Sequence, residues 1–407
     1  MSKQIFIIGG GAAGFFCAIN IAEKNPEYSI TILEKTTKLL SKVRISGGGR
    51  CNVTHACFDA KELVKNYPRG SKELLGAFTR FCPTEMISWL RSKQVDLKTE
   101  ADGRMFPVSN NSETIVNCFL DKAKQLGIKI ELECSVISMH QLENGLQLQV
   151  EKQHSINQKI NTDVVIVCTG GFNQLKAYEF LKNTGHKIYP PVPSLFTFNI
   201  PNNPIHQLMG LSVPQVKVKI KCSSYFTEGP LLITHWGFSG PAILKLSAFA
   251  AQELAKENYH TTVTINWLNI EHNEVRERLI NCFKTNTKTQ IANLQEFVLP
   301  KRLWNFLIAK SEIPSSKLCS ELTKKELNKL VECLVNDQYE MKGKTTFKEE
   351  FVSCGGIDLK EVDFKTMQSK KWKNLYFAGE ILNIDGITGG FNFQAAWTTG
   401  WVTAQSV

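Results

Sequence analysis

Three glycines and one glutamate near the start of the chain have the types and the spacing that bind a dinucleotide. Gly9, Gly11 and Gly14 form a G-x-G-x-x-G pattern, and Glu34 follows twenty residues after the last glycine. The first glycine of such a pattern allows a tight turn, the second lets the backbone approach a pyrophosphate, and the third lets a helix pack against a strand. The later carboxylate accepts hydrogen bonds from a ribose. The spacing therefore predicts a dinucleotide site.

The elements around these residues occur in the order that such a site requires. The apolar run Gln4–Ile8 predicts a buried parallel strand, Ala12–Lys24 predicts the helix behind it, and Ser29–Leu33 predicts a second strand that ends at Glu34. Glycine-rich turns also serve as plain packing devices, but the complete order of strand, helix, strand and acid favours the nucleotide interpretation. We expect the helix N-terminus to face the phosphates.

The composition is that of a globular protein with a basic balance. Its 407 residues suggest two or three domains, and a net charge of +10 favours anionic partners such as a phosphate-rich cofactor or a nucleic acid. No arginine-rich tract or RNA-recognition signature occurs, so the sequence favours a basic solvated surface over an RNA-binding role.

Cysteine usage and hydropathy indicate the compartment. None of the twelve cysteines forms a C-x-x-C pair, which argues against a zinc ribbon or a dithiol redox centre, and no metal-ligand cluster is evident. The chain enters its first strand at once, which leaves no room for a signal peptide, and no apolar stretch approaches the roughly 20 residues that span a bilayer. We expect a cytoplasmic protein in a reducing environment, with no membrane partner.

The fold is expected to leave the nucleotide domain and return to it. Residues 1–189 form its first part, and residues 346–407 form its second. Between them, residues 190–345 form an inserted domain that is β-rich over 194–270 and helical over 271–342, and Pro190–Pro193 predicts a stiff hinge at its start. The predicted fold class is α/β, a Rossmann-type domain with an inserted β-rich plus helical domain.

Two later segments bring further glycines toward the predicted nucleotide. The β-branched run Val164–Cys168 predicts a central parallel strand that ends at Thr169-Gly170-Gly171, where the backbone can approach a ligand. Asn374–Phe377 predicts another strand, and the glycine-rich turn Asp385–Gln394 leads into a final helix over Ala395–Ala404. No second G-x-G-x-x-G pattern occurs, so we expect one nucleotide bound by both ends of the chain.

These motifs resemble those of a bacterial flavoprotein family that includes aminoacetone oxidases and bile-acid enone reductases, within the glutathione-reductase-like superfamily of FAD proteins. The resemblance runs from end to end of the chain. The segments that carry it, besides the opening glycines, are Ile45–Thr54, Gly103–Pro107, Gly237–Leu244 and Gly379–Gln394. His55 stands where many relatives have asparagine.

The resemblance implies FAD as the cofactor. By matching position, the pyrophosphate would lie against Gly9, Gly11, Ala13 and Gly14, and the adenosine ribose against Glu34.

Other implied contacts come from three parts of the chain. The ribityl chain and flavin edge would be lined by Ser46, Gly48, Arg50, Cys51 and Asn52. The adenosine side would add Val136, Thr169 and Gly170. The ribityl and isoalloxazine side would add Gly379, Asp385, Gly390 and Asn392.

Physical reasoning supports part of this assignment. Three successive glycines, Gly47–Gly49, permit the backbone to reach a flat ring, although a flexible loop is the alternative. Arg50 offers fixed donors to a phosphate or to a reduced flavin. We expect Cys51 to pack against the cofactor rather than to react.

The catalytic side chains are less evident than the cofactor contacts. Arg104 could bind a substrate carboxylate or carbonyl, and a structural role for it is the alternative. His235, beside Trp236, could donate a proton if the insertion covers the flavin.

The sequence therefore predicts an FAD-dependent oxidoreductase. It would transfer a hydride between a small organic substrate and the flavin, with NAD(P)H or oxygen as the second partner. NAD(P)H would visit transiently, because the chain offers no second nucleotide domain. Two alternatives stay open, a flavin-containing RNA-modifying or RNA-binding protein and a flavin-bound regulatory protein without turnover.

Overall fold

The computed structural model describes residues 2–152, 155–345 and 352–407. The chain divides into two compact units, unit 1 over Met1–Ser194 and Lys348–Val407, and unit 2 over Leu195–Phe347. The first predicted boundary, at 189/190, lies five residues before the division at 194/195. The second, at 345/346, adjoins residues 346–351, which lie outside the described residues. Within the described ranges, no helix is both long and apolar enough to cross a membrane.

Unit 1 combines a parallel sheet with helices and three smaller sheets. Its strands, numbered in chain order through both units, are β1 Gln4–Ile8, β2 Ser29–Leu33, β3 Thr54–His55, β4 Leu97–Thr99, β5 Arg104–Pro107, β6 Lys129–Glu131, β7 Cys134–Gln141, β8 Leu146–Lys152, β9 Ser155–Thr162, β10 Val164–Val167, β11 Ile188–Ser194, β19 Val352–Ile357, β20 Val362–Asp363, β21 Gln368–Ser369 and β22 Leu375–Phe377. Its helices are α1 Ala12–Lys24, α2 Ser41–Gly49, α3 Ala60–Leu63, α4 Ser71–Phe78, α5 Pro83–Ser92, α6 Glu113–Gln125 and α12 Phe391–Ser406.

The main sheet of unit 1 has the order β20-β21-β22-β10-β1-β2-β6. The five strands from β22 to β6 are parallel, and β21 and β20 join antiparallel at one edge. The carboxyl ends of β1, β2 and β10 lead into Gly9, Glu34 and Thr169, so the sheet brings these residues to one edge. The predicted α/β Rossmann-type fold is confirmed.

The smaller sheets of unit 1 correct one prediction. Sheets β7-β8-β9, β3-β5-β4 and β11-β19 accompany the main sheet. Pro190–Pro193 is no hinge, because it lies within β11, which pairs antiparallel with β19 and shifts register between Tyr189 and Val192. Proline has no N–H to donate, and its fixed φ suits an extended strand at such an irregularity.

Helices α1 and α12 pack closely in the core of unit 1. α1 is buried from Ala13 to Ala22, and a Cβ on Gly400 of α12 would lie 3.2 Å from the carbonyl oxygen of Ala13. The rings of Phe16, Phe119 and Trp397 meet around this contact at centroid distances of 5.5–6.3 Å. The two ends of the chain are therefore joined by core packing.

A buried histidine makes the stability of unit 1 depend on pH. His186 is bound through Nδ1 to Thr184 Oγ1 at 2.7 Å and through Nε2 to Ser369 Oγ at 2.8 Å. Burial lowers the pKa of His186 from its ordinary 6.5 to about 4. As the pH falls from 6.5 toward 4, this histidine binds a proton in the unfolded chain but not in the folded chain. The contribution of neutral His186 to the free energy of unfolding is therefore complete above this window and is lost within it.

We expect wild-type protein to lose more thermal stability between pH 7.5 and pH 5 than the variant His186→Gln, whose amide can still bond Ser369 but does not titrate. Melting temperatures of both proteins at the two pH values measure the difference, because other titrating groups are common to both. Equal losses in the two proteins would contradict this account.

Unit 2 is built around one seven-stranded antiparallel sheet with the order β17-β16-β13-β14-β15-β12-β18. Its strands are β12 Thr197–Asn199, β13 Ser212–Ile220, β14 Phe226–Ile233, β15 Gly237–Ser239, β16 His260–Asn266, β17 Asp337–Lys342 and β18 Lys344–Thr345. Its helices are α7 Pro241–Phe249, α8 Ala251–Lys256, α9 His272–Thr285, α10 Lys301–Lys310 and α11 Lys324–Val335.

The predicted division of this region into a β-rich and a helical part is only partly correct. Helices α7 and α8 fall inside 194–270, and strand β17 occupies the end of 271–342. Pro241 is the first residue of α7. At this position the backbone N–H has no partner within the helix, so the missing N–H of proline costs nothing. The strand β17 pairs with β16 across 70 intervening residues, a long-range contact that no local pattern reveals.

Candidate functional site

In the opening turn, protein packing requires two of the glycines, Gly9 and Gly14, and does not require the third, Gly11. A Cβ on Gly9 would lie 2.5 Å from the carbonyl oxygen of Cys168, and one on Gly14 would lie 2.1 Å from that of Gly9. These two glycines let β1, β10 and α1 pack. Gly11 has φ −97°, which any residue adopts, and a Cβ there would meet nothing within 4 Å. Its small size leaves open space at the N-terminus of α1, where backbone N–H groups bind anions.

Glu34 borders the same turn. Its Oε2 accepts a hydrogen bond from Gly10 N at 2.9 Å, and its Oε1 accepts from Thr36 N and Thr36 Oγ1 at 2.9 and 2.8 Å. The carboxylate is therefore fixed beside Gly10 and Gly11 in a single orientation. Two carboxylate oxygens have about four acceptor positions, so the side chain can still accept from a ribose hydroxyl.

A second open cradle follows the helical part of α2. The backbone leaves the helix at Ser46, and Gly47, Gly48 and Gly49 have φ of +59°, +69° and +80°. A Cβ on Gly47 would collide with Phe106 at 2.8 Å, whereas a Cβ on Gly48 or Gly49 would meet nothing within 4 Å. The predicted close approach of a flat ring therefore has room at Gly48 and Gly49.

Cys51 and Asn52 follow directly after this cradle and connect it to neighbouring segments. Cys51 is fully buried, and burial raises the pKa of its thiol to about 12, so it packs as a neutral side chain. Its N–H donates to the carbonyl of Ser46 at 2.9 Å. With its Nδ2 toward the carbonyls of Thr54 and Met105, the Asn52 amide accepts from Gly390 N at 3.0 Å. Asn52 thus links the cradle to the closing segment of the chain.

Arg50 and Arg104 share one acidic partner. Glu100 accepts from Arg50 Nη1 at 2.6 Å and from Arg104 Nη2 at 3.1 Å, and Asp102 accepts from Arg104 Nε at 2.7 Å. Both guanidinium groups lie over the ring of Phe106, at 4.0 and 5.5 Å from its centroid. The structure therefore brings two predicted site residues together, in a cluster that neutralises part of their charge.

The closing segment, Gly379–Gln394, packs against α1 and against β3. A Cβ on Gly379 would lie 3.0 Å from the Cβ of Ala13, and one on Gly390 would lie 2.6 Å from the carbonyl oxygen of Thr54. Asn392 donates to Gly386 O and accepts from Gly386 N, at 2.9 and 2.8 Å. These contacts explain Gly379, Gly390 and Asn392 by packing and loop closure within the protein.

Asp385 has protein partners on every side. It is fully buried, its Oδ1 accepts from Arg69 Nε at 2.5 Å, its Oδ2 accepts from Ser194 Oγ at 2.8 Å, and Arg69 makes a second bond to Oδ2. Burial raises the pKa of Asp385, although Arg69 opposes the change. Asp385 therefore forms a buried ion pair that holds the closing segment, and its contact with a sugar hydroxyl stays a prediction.

Glu380, which was not predicted as a site residue, is partly exposed, whereas Asp385 is buried. Its Oε2 accepts from Lys42 Nζ at 2.5 Å, and a Cβ on Gly170 would lie 3.8 Å from the same oxygen. Thr169, Gly170 and Glu380 therefore meet at the carboxyl edge of the main sheet. The adjacent Gly379-Glu380 pair at the end of β22 was the available signal.

The two remaining residues to place in unit 1 are Val136, a predicted contact on the adenosine side, and His55. Val136 lies in β7 opposite Val150, at a register shift of the β7–β8 pair. His55, which the sequence analysis noted only as a departure from its relatives, stacks on Phe391 at 4.7 Å and donates through Nε2 to Asp102 O at 3.1 Å, which leaves Nδ1 buried without a hydrogen bond among the described residues. Burial lowers the pKa of His55.

The second predicted catalytic residue belongs to the other unit. His235 is exposed in unit 2, between β14 and β15, with its ring edge-on to Trp236 at 4.3 Å. Arg104 belongs to unit 1. Among the described residues, no group of three or more histidine, cysteine or acidic side chains could hold a metal ion.

The residues at the sheet edge fit a dinucleotide cofactor. Open glycine backbone at Gly11, Gly48 and Gly49 offers N–H groups and space, and Glu34 offers acceptors on the same edge. These are the donor and acceptor types that a pyrophosphate and a ribose need.

Comparison with known proteins covers the whole chain. Residues 3–406 match the model of the HI0933-like protein Rossmann domain. A Haemophilus influenzae protein named ribosomal RNA dihydrouridine synthase is 27% identical, with 100% of this chain and 98% of that protein aligned. A Clostridium scindens protein named 3-dehydro-bile acid delta(4,6)-reductase is 26% identical, with 99% of this chain and 98% of that protein aligned.

Solved structures show the same fold at low sequence identity. The 3-ketosteroid-delta4-(5alpha)-dehydrogenase of Rhodococcus jostii has a TM-score of 0.52 at 11% identity, over 99% of this chain and 97% of that one. A flavocytochrome c3 fumarate reductase has a TM-score of 0.51 at 12% identity, over 100% of this chain and 78% of that one.

Proposed function

Because this chain belongs to the HI0933-like family of Rossmann-domain proteins, we propose that it is an FAD-dependent oxidoreductase that reduces a carbon–carbon double bond conjugated to a carbonyl group. The observation that carries the cofactor assignment is Gly11. Neither its backbone conformation nor any protein neighbour requires a glycine there, so the missing side chain serves a ligand. The open backbone at Gly48 and Gly49 supports a second close approach, by the flavin ring.

The names of two relatives support this reaction class. Dihydrouridine is uridine whose ring double bond, conjugated to a carbonyl, has been saturated, and a delta(4,6)-reductase of a 3-dehydro bile acid saturates double bonds conjugated to a ketone. Both reactions add a hydride to one carbon and a proton to its neighbour. When bound and reduced by a second partner, the flavin of FAD would supply the hydride.

The side chains of this protein have separate tasks in the proposed reaction. Glu34 binds the adenosine ribose, and the N-terminal turn of α1 binds the pyrophosphate. Arg104, fixed by Glu100 and Asp102, is our candidate for the substrate carbonyl or carboxylate. His235 is our candidate proton donor. NAD(P)H is the proposed source of electrons, and the resemblance to aminoacetone oxidases leaves oxygen as an electron acceptor in the opposite direction.

Purified protein tests the proposal directly. We expect the yellow absorbance of oxidised flavin, release of FAD on heat denaturation, and anaerobic bleaching by NADH or NADPH. Reduced protein should regain its colour when an enone is added. Colourless protein with no affinity for added FAD would overturn the cofactor assignment, and bleaching without reoxidation by any enone or uridine would overturn the reaction class.

Removing the acid at the ribose site should weaken the cofactor. We expect Glu34→Ala to reduce FAD affinity by about 1–3 kcal/mol, because the ribose hydroxyls lose a buried acceptor. Calorimetric titration of the apoprotein with FAD measures the change. Glu27→Ala removes the same charge from an exposed position and should bind FAD as wild type does. FAD affinity unchanged in Glu34→Ala would refute the position of the ribose.

An RNA substrate is the second candidate. The name of the Haemophilus influenzae relative supports it, as does that of an Escherichia coli relative, also called ribosomal RNA dihydrouridine synthase and 26% identical over 98% of this chain. The net charge of +10 is compatible with a polyanion. Anaerobically reduced protein given uridine-containing RNA should then produce dihydrouridine, detected as a gain of two hydrogens by mass spectrometry. Turnover of enones with no change in RNA would leave the small-molecule candidate.

A further inference from the structure

The sheet of unit 2 has one face in the core and one in solvent. Along β13, Val216, Val218 and Ile220 are buried, so the alternating residues Lys217 and Lys219 point to the opposite face, and Lys221 continues the row. We call this the outer face. Alternate residues of a strand are about 6.6 Å apart, so Lys217 and Lys219 place two positive charges on this face, and Lys221 follows directly after the end of β13. We call these three residues the lysine row.

Most neighbours of the lysine row are neutral hydrogen-bonding side chains. In register with it lie Thr264 opposite Lys219 and Asn266 opposite Lys217 on β16, and Gln338 opposite Thr264 on β17. Acids also lie near the row: Glu228 is 3.7 Å from Lys217, Glu340 accepts from Thr262 Oγ1 at 3.0 Å, and Glu271 lines the adjoining cavity. In the part of the chain that the structure describes, Lys219 and Lys221 form no ion pair.

One aromatic side chain stands beside the row. Phe226 of β14 pairs with Lys219, is 52% exposed, and lies under Lys217 Nζ at 4.7 Å from its ring centroid. The ring therefore lies beside the ammonium group of Lys217 and in register with a second lysine, on a strand that also carries Glu228. A flat ring between positive charges suits the base and phosphate groups of a single nucleic-acid strand.

The lysine row continues into a cavity of about 250 Å³. It is lined on the sheet side by Lys217, Lys219, Thr264 and Asn266, and on the helix side by His272 and Asn336, with Glu271 and Val335 at its margin. His272 Nε2 lies 3.0 Å from Glu332 Oε1. The cavity therefore combines two ammonium groups with amide and hydroxyl groups, the donors that a phosphodiester accepts from.

We propose that the outer face of unit 2 binds a single-stranded segment of RNA, with phosphates along Lys217, Lys219 and Lys221 and a base stacked on Phe226. The hydroxyl and amide side chains on the neighbouring strands β16 and β17 favour a polar polymer over a membrane, because a membrane would need an apolar surface to insert. As a substrate-docking surface the face rests on the RNA candidate above, whereas its binding of RNA is tested without any flavin reaction.

Charge reversal tests the lysine row. The probe is a short fluorescein-labelled oligouridine, and the readout is fluorescence anisotropy over a series of salt concentrations. We expect wild-type protein to bind at low salt, and the double variant Lys219→Glu/Lys221→Glu to bind at least tenfold more weakly. Its slope of log K against log salt should be smaller by about 1.4, since each lost phosphate contact removes about 0.7 on a single strand.

The matched control changes the same charge elsewhere in unit 2. Lys324→Glu/Lys325→Glu alters two exposed lysines in the first turn of α11, where acids suit the helix dipole, and should bind as wild type does. Phe226→Ala should weaken binding roughly tenfold or more without changing the salt slope, because stacking is lost and charge is not.

Several outcomes would overturn the proposal. These are no binding by wild-type protein at low salt, equal losses in the two double variants, or unchanged binding by Phe226→Ala together with equal binding of heparin. FAD content of the same preparations separates the two proposals. Colourless protein that still binds RNA through this face would refute only the cofactor assignment, and yellow protein that binds no RNA would refute only the docking surface.

Discussion

Gly11→Val is expected to yield a folded protein that no longer retains FAD. The extended backbone at Gly11 accepts any residue, and a Cβ there would meet no protein atom within 4 Å, so the apoprotein should melt close to wild type. In the holoprotein the side chain would occupy the space of the pyrophosphate. Overpacking costs about 1–3 kcal/mol, so we expect the dissociation constant of FAD to rise roughly ten- to hundredfold. Calorimetric titration of apoprotein with FAD measures this change.

Two glycines elsewhere in unit 1 provide the controls. Gly76→Val makes the same change in α4, where a Cβ also meets nothing within 4 Å, and should leave FAD affinity unchanged. Gly14→Ala should instead impair folding, because its Cβ would lie 2.1 Å from the carbonyl oxygen of Gly9. Wild-type affinity in Gly11→Val would remove the main support for a ligand at this turn.

Asp385→Ala is expected to destabilise the apoprotein by about 3–5 kcal/mol. The substitution removes the carboxylate that pairs with the largely buried guanidinium of Arg69, and it removes the acceptor of Ser194. Urea denaturation of FAD-free protein, followed by tryptophan fluorescence, measures the loss. A direct sugar contact by Asp385 would give a different result, namely near-normal apoprotein stability with weaker FAD binding.

A double variant separates the ion pair from simple loss of packing. Arg69→Met/Asp385→Leu replaces both charges by apolar side chains of similar volume and should recover most of the stability lost in Asp385→Ala. Failure of the double variant to recover stability would show that Ser194 and the closing turn, rather than the ion pair, need the carboxylate.

Local patterns were sufficient where the partners in the fold are close in sequence. The run Gln4–Ile8, the glycine turn, the helix and the second strand form one continuous unit, so their order alone predicted the sheet edge and the position of Glu34.

Sequence patterns were not sufficient where distant segments determine the local structure. Pro190–Pro193 became part of a strand because β19, more than 150 residues later, pairs with it. Asp385 has the residue type of a sugar ligand, but its bonds to Arg69 and Ser194, both remote in sequence, could not be predicted from a local pattern. Arg50 and Arg104 looked like separate anion binders until the sheet β3-β5-β4 brought Glu100 between them.

The amino-acid sequence by itself determined the Rossmann-type fold, the opening nucleotide turn and the return of the chain at its end, because each depends on short-range periodicity and on glycines at fixed spacing. Only the tertiary structure decided which glycines make room for a ligand and which make room for the protein, and which acids stay free to bind. Those roles depend on what lies within a few ångströms of a Cβ or a carboxylate. Some of these neighbours, such as Thr54 beside Gly390 and Arg69 beside Asp385, come from segments more than 300 residues away.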